Sequence, residues 1–263
     1  MKIGVFDSGL GGLVITKALR ETLPEYDYVY YGDTKNLPYG EKESASILTY
    51  TIEAMKFLIS QKCGLIITAC NTATAVALRY LQQKFVPAFA PDVKILGVVI
   101  PTVEEALLDN AQRVGVLATQ ATVRAHIYEA ELHKIRPELE VFELAAPKLV
   151  PLIEQNKLFQ AEKAAEEYAA QFEKIDSLIL GCTHYPLLKQ ALRRYMPPET
   201  RIVSQDELMG KKLKDYLRRH LEIDICLSRE GQLKIFVSKA NESYQKVAET
   251  LFPSVEIEEV PHA

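Results

Sequence analysis

The chain has no tryptophan, few cysteines and no long hydrophobic run. Its 263 residues include only Cys63, Cys70, Cys182 and Cys226. Four cysteines in a chain of this length do not make a disulfide framework, and in a reducing compartment they remain thiols or thiolates. No apolar stretch is long enough to span a bilayer, and the first residues, MKIGVF, lead directly into a predicted strand with no signal peptide. These absences predict a cytoplasmic protein without a membrane partner.

The chain also lacks an excess of positive charge. Lys and Arg number 31 and Asp and Glu 35, which gives a formal net charge of −4. Nucleic-acid binding proteins typically carry a basic stripe, so no nucleic-acid partner is expected. A small anionic substrate remains compatible with this charge, because helix N-termini can bind carboxylates without any lysine. The hydrophobic content of 48% and the charged content of 25% are those of an ordinary globular protein with a substantial core.

Short apolar runs alternate along the chain with longer segments of helical period. This alternation predicts an α/β fold in which helices cover mainly parallel sheets. The clearest helical stripe consists of Leu158, Ala161, Ala165, Tyr168 and Phe172, with Glu and Lys on the opposite face. The predicted strands are 2–6, 27–31, 64–69, 94–99, 113–118, 139–144, 177–181, 200–203 and 233–237. The predicted helices include 42–62, 72–84, 121–135, 157–174, 185–195, 206–220 and 240–252.

Two related α/β domains explain these strands better than one wide sheet. The run LIITACNTAT at 65–74 has a near-echo in LILGCTHYP at 178–186, and the proline-containing segment 98–112 is interpreted as the crossing between the two halves. The last strand and helix are expected to return to the first half. The predicted first domain comprises 1–97 with 208–263, and the second comprises 98–207.

Polar or glycine-containing turns follow nearly every predicted strand. In parallel α/β folds these turns all lie at the carboxyl ends of the strands, where ligands bind. The helices that follow present free N–H groups there and favour an anion. The sequence therefore predicts one polar crevice that contains thiols and suits carboxylates. The turns are DSGLGG (7–12), GDTKNLPYG (32–40), CNTAT (70–74), TQATV (119–123), PKLVPLIE (147–154) and CTHYP (182–186).

The segment DSGLGG does not fit a dinucleotide-binding turn. The spacing of Gly9, Gly11 and Gly12 is not G-x-G-x-x-G, and Asp7 would repel a pyrophosphate. Two interpretations remain open. The segment is either only a tight turn that Ser8 caps, or it places Asp7 as a charged residue beside the substrate with Ser8 as a donor.

Cys70 and Cys182 end the two echoing runs. A cysteine at a strand end is often only packing, which is the interpretation for Cys63 and Cys226. A zinc site would need more ligands than these motifs offer. A nucleophilic pair of Cys182 with His184 is not favoured, because residues i and i+2 at such a turn usually diverge. Each thiol precedes a predicted helix N-terminus, which is expected to lower a thiol pKa. Two thiols on opposite faces of one carbon can invert a stereocentre, one removing a proton while the other delivers one.

These motifs, in this order, closely resemble the glutamate racemases of the cofactor-independent aspartate/glutamate racemase superfamily. The resemblance implies two α/β domains related by a pseudo-twofold axis, with glutamate held in the cleft between them. It implies interconversion of L- and D-glutamate without a cofactor, supplying D-glutamate for peptidoglycan synthesis and thereby for cell wall biogenesis and cell shape. The matching stretches are FDSGLGG (6–12), YYGDTKNLPYG (30–40), ACNTAT (69–74), GVLATQATV (115–123), LVPLIE (149–154) and LGCTHYP (180–186).

The resemblance also implies roles for individual residues. Cys70 matches the base that acts on D-glutamate, and Cys182 matches the base that acts on L-glutamate. Asp7 matches the carboxylate paired with the first cysteine, while Glu154 and His184 match the pair that assists the second. His184 would also be explained as a cap of the following helix. The positions that match contacts to the carboxylates and amine of the substrate are Ser8, Pro38, Tyr39, Gly40, Asn71, Thr72, Thr119, Thr122 and Thr183.

An α-proton beside a carboxylate is a very weak acid, so the site must exclude water and place donors at the developing charge. Closure of two domains over the substrate would exclude water. We expect hinges near 98–101 and 204–208.

Two other functions stay open on the sequence alone. One is an aspartate racemase of the same superfamily, whose substrate differs by one methylene; the other is a non-catalytic amino-acid-binding protein. No cofactor is expected, because Lys35 and Lys148, the only lysines in the strand-end motifs, lack the setting of a Schiff-base lysine. No metal is expected either, because the cysteine motifs offer too few ligands. His126 and His133 lie on a predicted helix of mixed charge and are expected at the surface. Enzymes of this size and class often form twofold dimers, so a homodimer is compatible with the sequence.

Overall fold

The computed structural model describes residues 1–260 of the chain, so the last three residues of the predicted first domain lie outside it. All nine predicted strands are present, and a tenth, at the C-terminal end, was not predicted. The strands are β1 (Lys2–Asp7), β2 (Tyr28–Gly32), β3 (Cys63–Thr68), β4 (Lys94–Gly97), β5 (Arg113–Ala118), β6 (Glu140–Ala145), β7 (Ser177–Gly181), β8 (Arg201–Val203), β9 (Leu233–Val237) and β10 (Ile257–Glu259).

The strands form two sheets, in which every pair is parallel. A six-stranded sheet has the order β10-β9-β2-β1-β3-β4, and a four-stranded sheet has the order β6-β5-β7-β8. The predicted α/β class with mainly parallel sheets is therefore confirmed. The first sheet takes its strands from 1–97 and 208–260, and the second takes its strands from 98–207. The domain limits themselves stay a prediction.

Helices connect the strands, as parallel pairing requires. A π-helical turn over Leu81–Phe85 joins the third and fourth helices. The helices are α1 (Gly11–Thr22), α2 (Ser44–Ser60), α3 (Asn71–Tyr80), α4 (Val86–Phe89), α5 (Val99–Ala106), α6 (Gln120–Arg124), α7 (Ile127–Ile135), α8 (Leu149–Glu154), α9 (Leu158–Ala169), α10 (Lys189–Tyr195), α11 (Gln205–Arg219), α12 (Leu221–Asp224) and α13 (Glu242–Leu251).

Two segments interpreted from the sequence as a crossing and a turn contain helices, α5 and α8. Both hold a proline, Pro101 and Pro151, as their third residue. Proline does not break a helix there, because the first N–H groups of a helix have no partner within the helix. Conversely, the helix predicted over 121–135 is broken. His126 adopts a left-handed backbone with φ of 48° and separates α6 from α7.

The main hydrophobic core runs between the two sheets. Ile3 and Val5 of β1 belong to the same buried cluster as Val114 and Val116 of β5 and as Leu213 of α11. Helix α11 contacts α1 on one side and α5 on the other. The two sheets therefore share one buried core. Within residues 1–260, no helix combines the length and the apolar character needed to cross a membrane.

Candidate active site

The loops at the carboxyl ends of strands from both sheets meet around one pocket of about 270 Å³, part of which is open to solvent. Most of the predicted site residues line it. Leu37 and Val150 line it as well and were not predicted, because apolar side chains give no chemical signal in the sequence. The lining residues are Ser8, Leu37, Tyr39, Gly40, Cys70, Asn71, Thr72, Thr119, Val150, Cys182, Thr183 and His184.

Four predicted site residues do not line this pocket. Asp7 and Glu154 lie one hydrogen bond behind it, bonded to Thr183 and His184 respectively. Pro38 lines a neighbouring pocket of about 240 Å³ that also contains Gly40 and Val150. Thr122 bonds to two of the pocket threonines. The structure thus brings all the predicted residues to one end of the two sheets.

Cys70 follows β3 and is the N-cap of α3. Its sulfur lies 3.5 Å from the backbone nitrogen of Ala73 and 3.5 Å from the hydroxyl oxygen of Ser8. Burial, together with the nearby charge of Asp7, raises the pKa of the Cys70 thiol to about 12. The expectation that the helix N-terminus lowers this pKa is therefore wrong, because desolvation outweighs the favourable N–H contact. At neutral pH Cys70 is a thiol and can donate a proton.

Asp7 is completely buried at the end of β1. Its Oδ2 accepts hydrogen bonds from the backbone N–H groups of Gly9 and Gly12, each at 3.0 Å, and the Thr183 hydroxyl donates to Oδ1 at 3.1 Å. Burial raises the pKa of Asp7 to about 6, even though the charge of His184 and these hydrogen bonds act to lower it. A carboxyl group with this pKa can accept or release a proton near neutral pH.

Cys182, His184 and Glu154 form a hydrogen-bonded series. The Nδ1 atom of His184 lies 3.6 Å from the Cys182 sulfur, and its Nε2 atom lies 2.5 Å from Oε1 of Glu154. The expectation that the side chains of Cys182 and His184 diverge is therefore wrong. The capping interpretation of His184 is wrong as well, since its side chain makes no cap hydrogen bond to the short helix that follows. Glu154, the last residue of α8, contacts the imidazole of His184 through the Nε2 atom of the ring.

The contact between Glu154 and His184 shifts the pKa values of both groups toward their charged forms. Burial alone would lower the pKa of His184, but the hydrogen bonds and negative charges of Cys182 and Glu154 raise it well above its usual value. Burial would raise the pKa of Glu154, but the contact with His184 and a hydrogen bond from the backbone N–H of Leu10 lower it. We infer an imidazolium held by a carboxylate next to the sulfur of Cys182.

A cluster of three hydroxyl groups lies between the two halves of the pocket. Thr72 is the second residue of α3, whereas Thr119 and Thr122 belong to the loop and helix after β5. The hydroxyl oxygen of Thr72 lies 2.8 Å from that of Thr119 and 3.3 Å from that of Thr122, and the latter two are 2.9 Å apart. Hydroxyl groups can turn to donate to a carboxylate, so this cluster is suited to an anionic group.

Residues behind the pocket hold two of its lining side chains. The Tyr39 hydroxyl donates to Oδ2 of the buried Asp33 at 2.6 Å. Oδ1 of Asn71 accepts hydrogen bonds from the hydroxyl of Tyr128 and the side-chain amide of Gln205. Asp33, Tyr128 and Gln205 were not among the predicted site residues. Only Asp33 had a signal, since it lies within the motif at 32–40.

The chain is similar in sequence to proteins of a known family. The Asp/Glu/Hydantoin racemase family matches residues 13–204. The chain belongs to that family. It is 36% identical over 252 residues to the glutamate racemase of Aquifex aeolicus, covering 94% of this chain and 92% of that protein. It is 32% identical over 266 residues to the glutamate racemase of Streptococcus mutans, covering 98% and 97% respectively.

Solved racemase structures have the same architecture. The glutamate racemase isoform RacE1 of Bacillus anthracis superimposes with a TM-score of 0.87 at 28% identity, covering 98% of this chain and 97% of that one. A glutamate racemase of Francisella tularensis, solved in complex with D-glutamate, superimposes with a TM-score of 0.85 at 32% identity, covering 98% and 96%. The predicted resemblance and the two-domain α/β fold are therefore confirmed, and the protein is an isomerase of the racemase class.

One grouping of possible metal ligands lies apart from the racemase pocket. His126, Glu129 and Glu143 are the only such group found within residues 1–260, with ligand atoms within 4.8 Å of one another. The Nδ1 atom of His126 is 3.1 Å from Glu129 and 2.9 Å from Glu143, so hydrogen-bond contacts account for the grouping. His126 is exposed, as predicted, whereas His133 is half-buried, with its Nε2 atom 2.9 Å from the Leu139 carbonyl oxygen.

Proposed function

We propose that this protein interconverts L- and D-glutamate without a cofactor, using Cys70 and Cys182 as its two acid/base groups. The observation that supports this most is that both thiols line one pocket from the ends of strands in different sheets. Two groups that approach one carbon from opposite sides can invert it. Glutamate is favoured as substrate because the relatives from Aquifex aeolicus and Streptococcus mutans, at 36% and 32% identity, are named glutamate racemases.

Starting from L-glutamate, the thiolate of Cys182 takes the α-proton. The electron pair that this leaves is delocalised into the α-carboxylate. Cys70 then delivers its thiol proton to the opposite face, forming D-glutamate and leaving Cys70 as the thiolate. In the reverse direction Cys70 is the base and Cys182 the acid, so atoms and charge balance in both directions.

The assisting residues set the protonation states for this cycle. Glu154 and His184 keep a positive charge beside the sulfur of Cys182. Cys70 begins as a thiol because it is buried near Asp7. After a turnover from L-glutamate, a proton must return to Cys70 and leave Cys182. We assign to Asp7, with a pKa of about 6, the return of a proton to Cys70, while the proton on Cys182 leaves to solvent once the product has left the pocket.

The carboxylates and amine of glutamate would be held by the remaining polar groups of the pocket. Hydrogen-bond donors aimed at the α-carboxylate stabilise the carbanion, provided that water is excluded. We assign the contacts to Ser8, Pro38, Tyr39, Gly40, Asn71, Thr72, Thr119, Thr122 and Thr183. We also propose that the domains close about 98–101 and 204–208. Identical interdomain angles in free and glutamate-bound crystals would contradict this closure.

The cellular role that we propose follows from one product of the reaction, D-glutamate. D-glutamate is a building block of peptidoglycan, so we propose that the protein acts in the cytoplasm and supplies cell wall synthesis.

Structural similarity to an aspartate racemase is lower than to the glutamate racemases. One from Picrophilus torridus superimposes with a TM-score of 0.60 at 21% identity, covering 82% of this chain and 94% of that one, which shows the fold alone.

Deuterium exchange tests the proposal. L- and D-glutamate are incubated separately with the protein in deuterated buffer, without cofactor and with aspartate as a comparison substrate. We expect deuterium at Cα together with loss of optical activity. Cys70→Ser and Cys182→Ser should each abolish inversion and leave glutamate binding largely intact. Reaction of aspartate alone would make this an aspartate racemase. No exchange of either amino acid in folded, reduced protein would favour a binding protein.

A further inference from the structure

Gln205 connects three parts of the molecule that meet behind the pocket. It is the first residue of α11 and is completely buried. Its Nε2 atom lies 3.3 Å from Oδ1 of Asn71, 3.3 Å from Oγ1 of Thr102 and 3.4 Å from the hydroxyl oxygen of Tyr128. Asn71 follows the first sheet's β3, whereas Thr102 and Tyr128 belong to α5 and α7, which cover the second sheet.

The direction of these hydrogen bonds follows from one backbone carbonyl. The Thr102 hydroxyl donates its proton to the carbonyl oxygen of Val98 at 2.7 Å. Because a hydroxyl has only one proton, Oγ1 of Thr102 can only accept from Gln205. Gln205 must therefore direct its NH₂ group to this side. The same NH₂ group faces Asn71, so Asn71 must direct its carbonyl oxygen toward Gln205.

Tyr128 supports the same orientation of Asn71. Its hydroxyl donates to Oδ1 of Asn71, and Oδ1 has a second lone pair for Gln205. Nδ2 of Asn71 is then on the other side of the carboxamide. It is buried without a hydrogen-bond partner, although Asn71 lines the pocket. An unpaired buried donor is costly, and an anionic oxygen in the pocket would satisfy it.

We propose that Gln205 and Tyr128 are positioning residues that fix the carboxamide of Asn71 so that Nδ2 donates to a carboxylate oxygen of the substrate. This inference rests on the proposed function for the identity of the substrate. Neither residue touches the substrate. Their effect is to prevent the carboxamide from turning its oxygen toward a carboxylate, which would repel it.

Steady-state kinetics of Tyr128→Phe and Gln205→Met test the proposal, with Tyr80→Phe at the exposed Tyr80 as the matched control. Tyr128→Phe and Gln205→Met should each raise KM for glutamate about tenfold, the loss expected for a weakened hydrogen bond to a charged group, with little change in kcat. The control should change neither constant. In an Asn71→Ala background, Tyr128→Phe and Gln205→Met should produce no further increase in KM. Undiminished effects in that background would overturn the proposal.

A second measurement separates this inference from the proposed function. The side-chain NH₂ signals of Asn71, identified by their loss in Asn71→Ala, are recorded by ¹⁵N–¹H NMR. Tyr128→Phe and Gln205→Met should shift these signals, and Tyr80→Phe should not. If the unaltered protein racemises neither glutamate nor aspartate, the proposed function fails. The shifts of the Asn71 signals would still support the positioning role. Unshifted signals would overturn the positioning role, whatever the activity.

Discussion

The hydroxyl of Thr183 donates a hydrogen bond to Oδ1 of Asp7 at 3.1 Å. Thr183 lies between Cys182 and His184 in the second half of the molecule, whereas Asp7 ends the central strand of the first sheet. The charge of His184 also acts to lower the pKa of Asp7. The protonation of one half-site therefore affects the other.

Removing the Thr183 hydroxyl should change the acidic side of the pH profile. The hydrogen bond from Thr183 acts to lower the pKa of Asp7, so Thr183→Val should raise this pKa above its value of about 6. The acidic limb of kcat/KM for glutamate should then move to higher pH, with about a tenfold loss at neutral pH. Thr183→Ser, which keeps the hydroxyl, should retain the original profile. Identical acidic limbs in the Val and Ser variants would contradict the coupling.

Glu154→Gln should change the basic side of the profile. The contact with Glu154 raises the pKa of His184, so its loss should lower that pKa and move the basic limb of kcat/KM to lower pH. L- and D-glutamate have equal free energies, so kcat/KM must shift equally in the two directions. Glu167→Gln, at an exposed glutamate, is the control and should leave the limb in place. A limb that stays unchanged in Glu154→Gln would exclude His184 as the titrating group.

Much of the fold followed from the sequence, because alternating strands and helices have few parallel arrangements. Ligands bind at the carboxyl ends of parallel strands, and this rule predicted that Cys70 and Cys182 lie in one site. The contact of His184 with Cys182 could not be predicted. Glu154, which bonds to the other side of the same imidazole, comes from a segment 30 residues away along the chain. Gln205 gave no sequence signal either, since its partners come from distant segments.

The pKa of Cys70 was predicted in the wrong direction for a related reason. The sequence shows that a helix begins at Cys70, which alone would lower a thiol pKa. It does not show the complete burial of Asp7 or how deeply the thiol is desolvated. Electrostatic properties of a site therefore require the three-dimensional surroundings, even when the residues themselves are evident.

Asp7→Asn should alter how stability depends on pH. The folded-state pKa of Asp7, about 6, exceeds its ordinary value of 3.8, so the folded state binds this proton more tightly. Its contribution to the free energy of unfolding is fully present below the unfolded-state pKa and is lost as pH rises through about 6. The loss is about 3 kcal/mol for a shift of this size.

Urea unfolding at about pH 4 and about pH 7.5 tests this. The free energy of unfolding should decline less between the two pH values in Asp7→Asn than in the unaltered protein. The exposed Asp92 offers a control, Asp92→Asn, which should keep the full decline. Equal declines in all three proteins would show that Asp7 does not titrate in this range.

Gly11→Ala should separate the two halves of the site. A Cβ atom on Gly11 would lie 2.4 Å from both the carbonyl carbon and the hydroxyl oxygen of Thr183. Backbone atoms must move to relieve this overlap, which displaces the loop that carries Cys182 and His184 from the loop that carries Asp7. Because proton transfer is sensitive to displacements of about 1 Å, we expect kcat/KM to fall by about a hundredfold or more.

Gly64→Ala is the matched control for this substitution. A Cβ atom on Gly64 would also come too close to its neighbour, 2.3 Å from the sulfur of Met1, but that atom belongs to a flexible and exposed side chain. Met1 can turn away, so Gly64→Ala should retain nearly full activity. Circular dichroism should show that both variants are folded. Equal activity of folded Gly11→Ala and Gly64→Ala would mean that the two loops need not touch for racemisation, and the Thr183–Asp7 contact would then lose its proposed role in coupling the two half-sites.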